Sequence, residues 1–167
     1  RKGVSVRFPC DVQVVAATNP CPCGYAADRL VSCTCSPAGV ARYRRRFSGP
    51  LLDRFDLQVA VPRLHPADLA GPEGEPSAAV RDRVAAARAR QAGRGGLNRV
   101  LGRRDLDAVV WEPAALGLLR AAADRLALTA RGWDRVRRVA RTVADLAGGE
   151  AVGEAHVAEA LSLRVAV

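Results

Sequence analysis

Four cysteines fall in two tight pairs, Cys21-Pro22-Cys23 and Cys33-Thr34-Cys35. Four thiolates can hold one zinc ion tetrahedrally, which leaves no open coordination position and so predicts a structural, not a catalytic, metal. Paired zinc ligands usually have two residues between them, whereas each pair here has one; Gly24 allows the chain to turn between the pairs. The other readings are disulfides, disfavoured in a reducing compartment, and free thiols. Cys10, the fifth cysteine, stands alone and reads as a small buried hydrophobe.

Three further positions could act on phosphate. Asn19, in Ala17-Thr18-Asn19-Pro20, follows an apolar run and falls where α/β sheets bind ligands; its amide could orient a water against a terminal phosphate. Asn-Pro is also an ordinary turn. Arg54, in Ser48-Gly49-Pro50-Leu51-Leu52-Asp53-Arg54-Phe55-Asp56, offers a permanent charge and a planar fork of donors, although a salt bridge to Asp53 or Asp56 would account for it equally well. Arg131 opens a helix, where its charge opposes the helix dipole unless an anion is near or water solvates it.

Composition narrows the classes. The 167 residues carry a formal charge of +9, nearly all of the positive charge being arginine. Such a balance suits an anionic partner or simply solvated helix faces. Lys2 is the only lysine, and no glycine-rich turn precedes it, so the chain has no G-x-x-x-x-G-K-[ST] phosphate loop; Gly93–Gly96 reads as a plain turn. No run approaches the ~20 apolar residues of a membrane span. The chain opens at Arg1 and has no methionine, which reads as a fragment.

The elements that must position these residues are of two kinds. Val4, Val6 and Phe8 alternate, residues 12–17 are apolar at nearly every position, and residues 56–62 alternate again; all three read as strands, the second buried on both faces as in a parallel sheet. Ser36-Pro37 is a cap signal for a basic helix to about Phe47, carrying Arg42, Arg44, Arg45 and Arg46, and Leu51–Phe55 reads as a helical turn. Residues 65–76, with three prolines and two glycines, form a linker. Beyond it helices are expected from Ser77 to about Gly93, with Val80, Val84 and Ala87 on one face, and at about 113–127, 130–147 and 154–164; Thr129 caps one and Gly148-Gly149 ends it. The expected fold class is therefore α/β plus all-α: a piece of α/β core over 1–64 with a cysteine-rich insertion at 21–35, then a helical lobe over 77–167.

Taken in order, Val15 through Tyr25, Cys33-Thr34-Cys35, Ser48 through Leu57 and Val139-Ala140-Arg141-Thr142-Val143-Ala144-Asp145-Leu146-Ala147 resemble the ComM/YifB family across essentially the whole chain. These are AAA+ ATPases related to the ATPase subunit of magnesium chelatase. The resemblance implies the C-terminal part of an AAA+ core followed by its helical lid. It implies sensor 1 at Asn19, an arginine finger at Arg54 that enters a neighbour's nucleotide site, sensor 2 at Arg131, and a structural zinc insertion at Cys21, Cys23, Cys33 and Cys35. It further implies a cytoplasmic homo-oligomer, expected as a hexameric ring, that couples hydrolysis of ATP, with Mg, to DNA branch migration in natural transformation. Family members carry an N-terminal Lon-like domain, the phosphate loop and the acidic metal-binding strand in addition; without them these residues should neither bind ATP tightly nor hydrolyse it. Arg42, Arg44, Arg45 and Arg46 could meet DNA phosphates or pack on a neighbour. Trp111, Trp133 and Tyr43 could stack on bases, although burial is the simpler reading; His65 and His156 read as structural. The alternatives are a metal-insertion motor of the magnesium-chelatase type and a non-enzymatic, zinc-stabilised nucleic-acid-binding module.

Overall fold

A computed structural model describes residues 3, 5–47 and 49–164; Val4 and Ser48 of the sequence motifs lie outside it. The chain divides into two compact units, residues 1–46 and 47–167.

In the first unit, α1 (Pro37–Arg44) begins where the sequence places it. Ser36 Oγ accepts the Gly39 amide at 3.1 Å, and Pro37 occupies the first helical position, where its missing N–H costs nothing. Arg42 and Arg44 sit in the last turn, where positive charge opposes the negative end of the helix dipole. Ahead of α1 the chain runs extended through residues 5–18 and then folds into the cysteine loops.

The expected strands are not paired here. Residues 5–18 and 57–64 are extended, with Phe8, Val14, Val15, Val59 and Val61 exposed, and the only bridge among the described residues joins Trp111 to Val152 in parallel. A strand buried on both faces needs neighbours on both edges to satisfy its amides and cover its side chains. The described residues contain no such neighbours. The sequence pattern is that of strands, and the sheet that would receive them is not built by these residues.

The second unit is helical: α2 (Gly49–Leu52), α3 (Pro66–Leu69), α4 (Ser77–Gly93), a 3₁₀ turn (Asn98–Val100), α5 (Arg103–Asp107), α6 (Pro113–Arg125), α7 (Ala130–Leu146) and α8 (Glu154–Ser162). The four long helices match the sequence reading. The segments α3, the 3₁₀ turn and α5 are additional, each too short to show a helical period. In α3, His65 accepts the Ala67 amide while Asp68 accepts the His65 amide, a capping box inside the linker.

Helix α7 is the centre. Gly132, Val136, Ala140 and Ala144 form one buried row, and Arg137, Arg141 and Asp145 form a second beside it. Val136, Ala140 and Ala144 of the first row share one core with Ala115 and Leu119 of α6, Val152, and Val157 and Ala160 of α8, the helix that packs against both α6 and α7. Small side chains let these helices approach closely. Each fully buried Leu or Val here contributes about 1.5–3 kcal/mol. Trp111 and Trp133 flank this core, and the Trp111 indole donates to the Leu106 carbonyl, in keeping with a packing role. His156 likewise accepts the Gly153 amide at the start of α8.

The second row of α7 is polar and buried. Arg141, 2% exposed, donates to Asp145 at 2.8 Å and to the carbonyls of Gly149 and Glu150 at 2.5 Å each. Asp145, fully buried, also accepts from Asn98 at 2.8 Å and Arg94 at 2.5 Å. Asn98 in turn bonds Thr142 and, through its amide, Gln91. The network ties the end of α4 and the 3₁₀ turn to α7 and to the turn at Gly148, whose φ of +79° suits glycine. Burial acts against the Asp145 charge, but the Arg94 and Asn98 hydrogen bonds and the Arg141 charge prevail and hold its carboxyl below the usual range.

Helix α4 departs from its expected packing. Ala87 and Gln91 are buried, but Val80 and Val84 are each 37% exposed, so only the C-terminal half of its apolar face is covered.

Candidate functional site

The four cysteines come together. Their sulfurs all lie within 4.8 Å of one another, with Cys21–Cys23 at 3.3 Å, Cys23–Cys33 at 3.5 Å and Cys21–Cys33 at 3.7 Å. Four sulfurs at the ordinary zinc–sulfur length of about 2.3 Å stand about 3.8 Å apart on a tetrahedron, so the set fits zinc closely. None of the cysteines is in a disulfide, and Cys21 is fully buried. The loops that carry them are locally fixed. Gly24, at φ +86°, turns the chain so that its amide donates to the Cys21 carbonyl at 3.0 Å, and Asp28 Oδ1 accepts the amides of Leu30 and Val31. Cys10, read from sequence as buried, is exposed, because the extended segment that carries it has no cover.

The electrostatics of the cluster are those of a cation site. Backbone amides of Tyr25 and Thr34 point at the Cys23 sulfur and, with the neighbouring thiols, lower its pKa to about 5. At Cys35 the Cys23 amide favours the thiolate, but the sulfur of Cys23, desolvation and the other two sulfurs outweigh it and push the pKa up to about 12. Cys33 is raised too, its helpful contact with the Cys35 amide being outweighed by the same crowding, Cys23 first. The Cys23 thiolate forms easily, whereas those of Cys33 and Cys35 do not unless a divalent cation shares the space.

Asn19 borders this loop. A Cβ at Gly24 would stand 4.0 Å from the Asn19 side-chain amide, so the turn that presents Cys21 and Cys23 also lies against the candidate water-positioning group. The preceding Thr18 hydroxyl is 3.0 Å from the Tyr43 hydroxyl of α1. One small unit thus holds Asn19, the cysteine cluster and the basic helix together. Arg42, Arg44, Arg45 and Arg46 are all exposed. Residues 1–46 hold eight of the 26 basic side chains but only two of the 17 acidic ones, Asp11 and Asp28, so six of the nine net positive charges fall in this unit.

Arg54 lies in the other unit. It is exposed, and its Nη1 donates to the Pro50 carbonyl at 3.0 Å. The salt bridges that could have explained it are not formed, because both flanking carboxylates are committed elsewhere. Asp53 accepts from Arg164 and from the Thr129 hydroxyl, and Asp56 pairs with Arg135 at 3.2 Å. Gln58 adds two ties, its amide to the Leu163 carbonyl at 2.6 Å and its side chain to the Leu52 carbonyl at 3.4 Å. Thr129 does double duty, since its oxygen also accepts the Gly132 amide at 3.0 Å as the cap of α7. Arg131, one residue into α7, is exposed. The loop before it includes Ala127 at φ +46°, a left-handed conformation that costs a non-glycine residue about 1 kcal/mol or more.

Sequence reasoning did not reach Arg164, Arg135 or the Arg141–Asp145 pair. The last could have been found, because Arg137, Arg141 and Asp145 stand four apart along α7, directly beside its row of small apolar residues. Arg164 and Arg135 make contacts across more than seventy residues, which no local pattern reports.

Comparison with known proteins defines the class. Residues 74–164 match the family model described as magnesium chelatase, subunit ChlI, C-terminal, and residues 1–69 match that of magnesium chelatase, subunit ChlI. The chain belongs to this magnesium-chelatase family of AAA+ ATPases. Among curated relatives it is 38% identical over its whole length to competence protein ComM of Haemophilus influenzae. It is 39% identical over 98% of its length to an uncharacterised protein of Mycobacterium tuberculosis, and 37% identical over 98% to the uncharacterised protein YifB of Escherichia coli. In each case it spans 33% of the relative.

Proposed function

We propose that these residues form the sensor, finger and lid part of a ring-forming AAA+ ATPase that remodels DNA, in the manner the ComM resemblance suggests. The observation that carries this reading is Arg54: an exposed guanidinium on a turn whose two neighbouring carboxylates are already neutralised by other arginines. An arginine so placed keeps its charge for a partner outside its own unit. At the γ-phosphate of ATP held by an adjacent subunit it would stabilise charge in the transition state, a contribution worth roughly 10³–10⁵ in rate. Asn19 would orient the attacking water and Arg131 would meet the nucleotide from the lid. ATP and Mg would be held mainly by a phosphate loop and acidic strand that these 167 residues lack. Hydrolysis would then need an assembled homo-oligomer, with a hexamer as the working expectation and the cytoplasm as the compartment.

Zinc in the cysteine cluster would be held by Cys21, Cys23, Cys33 and Cys35. With four sulfur ligands it supplies a fixed loop and no reactive position. What it would fix is the approach of Asn19 to Gly24 and the start of α1 two residues beyond Cys35. The exposed arginines of α1 and the excess charge of residues 1–46 favour DNA as the anionic partner, through its phosphates.

The test is Arg54→Ala in the full-length protein. ATP binding is expected to persist while hydrolysis is lost. Turnover at the wild-type level in that variant would refute the finger. No dependence of DNA binding on salt would refute the phosphate contacts. The surviving reading in that case would be a metal-insertion motor.

A further inference from the structure

We infer that Arg164, just beyond α8, is a positioning residue for Arg54 and acts on it through Asp53. The inference rests on the reading of Arg54 as a finger.

The turn that carries Arg54 is not held by apolar burial. Helix α2 has no buried residue, and Leu51 is 42% exposed. Beside the turn is a cleft of about 280 Å³ bordered by Gly49, Asp53, Gln58, Thr129 and Arg164, so the turn has room to shift. What fixes it is polar: Asp53 to Arg164 and Thr129, Asp56 to Arg135, and Gln58 to the Leu163 carbonyl. Of these, the Asp53 contacts lie one residue from the guanidinium they would aim, and they join it to two helices of the bundle where these meet, at the cap of α7 and the end of α8.

Arg164 is an expensive choice for mere stability. Its side chain is 10% exposed, and its Nη1 is buried without a hydrogen-bond partner. Desolvating a guanidinium for one carboxylate returns little net stabilisation, whereas its planar fork fixes a direction. Gly132 in the first turn of α7 leaves it space, since a Cβ there would stand 3.0 Å from Arg164 Nη2. A finger works only if its guanidinium is presented with little freedom, because misplacement by about 1 Å can cost on the order of 10²-fold.

The experiment uses the full-length ATPase with Arg164→Gln, Asp53→Asn, their double variant, and Arg54→Ala alongside. Arg164→Gln is expected to lower kcat about tenfold or more, with KM for ATP within about twofold, ring assembly unchanged and the melting temperature lowered by no more than a few degrees, since Asp53 is part-exposed and keeps Thr129. The double variant should be no worse than the poorer single one, since the two side chains act as a unit. Arg164→Lys, which keeps charge but loses the fork, should fall between. If Arg164→Gln turns over normally while Arg54→Ala is inactive, the positioning role is wrong and the finger stands. If kcat falls only together with KM, assembly or a larger drop in melting temperature, Arg164 is merely structural and the inference fails. If Arg54→Ala hydrolyses ATP normally, the finger reading fails and the inference with it.

Discussion

Replacing Asp145 by Ala removes the acceptor on which three donors converge, Arg141, Arg94 and Asn98, at 2.8, 2.5 and 2.8 Å. The three donors are affected unequally. Arg94 is 42% exposed in its side chain and can turn to water, so its share is small. Asn98 keeps Thr142. Arg141 cannot leave, since at 2% exposure it is left with two carbonyls and an uncompensated charge, the situation that costs about 3–5 kcal/mol. For a helical unit of this size the melting temperature should fall by about 10–20 °C. Urea unfolding followed by the helical circular-dichroism signal reads this directly. The pH dependence carries a second check. Because the carboxyl is held below its usual range, its stabilisation is complete above the unfolded value of about 4 and is lost as pH falls through the lower folded value. The wild type should therefore lose stability below about pH 4 more steeply than Asp145→Asn, whose side chain does not titrate. A destabilisation of less than about 1 kcal/mol in Asp145→Ala would show that the network does not hold α7.

Three other outcomes follow from the same geometry. Metal-replete, reduced protein should carry one zinc per chain by elemental analysis, and Cys23→Ser should release it; a clean zero in the wild type would retire the site. Converting Arg42, Arg44, Arg45 and Arg46 to Gln should weaken binding of the full-length protein to DNA across sequences. It should also flatten the salt dependence by up to roughly one unit of slope for each phosphate no longer neutralised; an unchanged slope would assign the helix to protein packing. Gly148→Ala, at φ +79° and with a Cβ 3.3 Å from Arg90, should destabilise the helical unit by about 1 kcal/mol or more in the same urea assay, and a neutral effect would count against the left-handed turn.

The helices of both units were legible in the sequence because their signals are local. Ser36-Pro37 and Thr129 mark helix starts by cap chemistry, Gly148 marks an end, and the rows of α7 repeat at helical spacing. The cysteine cluster was legible for the same reason, pairs and a turn glycine within fifteen residues. The strands were legible only as pattern. Residues 12–17 have the composition of a buried strand, but a ladder is a property of two segments, and the described residues hold only one of each pair. The setting of Arg54 was hidden as well. Asp53 and Asp56 flank it and looked like its partners, whereas their real partners, Arg164 and Arg135, come from the far end of the chain. Local spacing offered the bridge; tertiary packing reassigned it and left Arg54 exposed.

The most direct test of the central claim mixes subunits. Full-length protein carrying Arg54→Ala is combined in one ring with full-length protein whose own phosphate-loop lysine is replaced, each inactive alone, and ATP hydrolysis is measured across the mixing ratio. If Arg54 serves a neighbour's nucleotide, some interfaces in the mixed ring pair an intact finger with an intact phosphate loop, and activity should reappear with a maximum at intermediate ratios. Activity in the Arg54→Ala protein alone, or no recovery in rings verified to be mixed, would contradict the account.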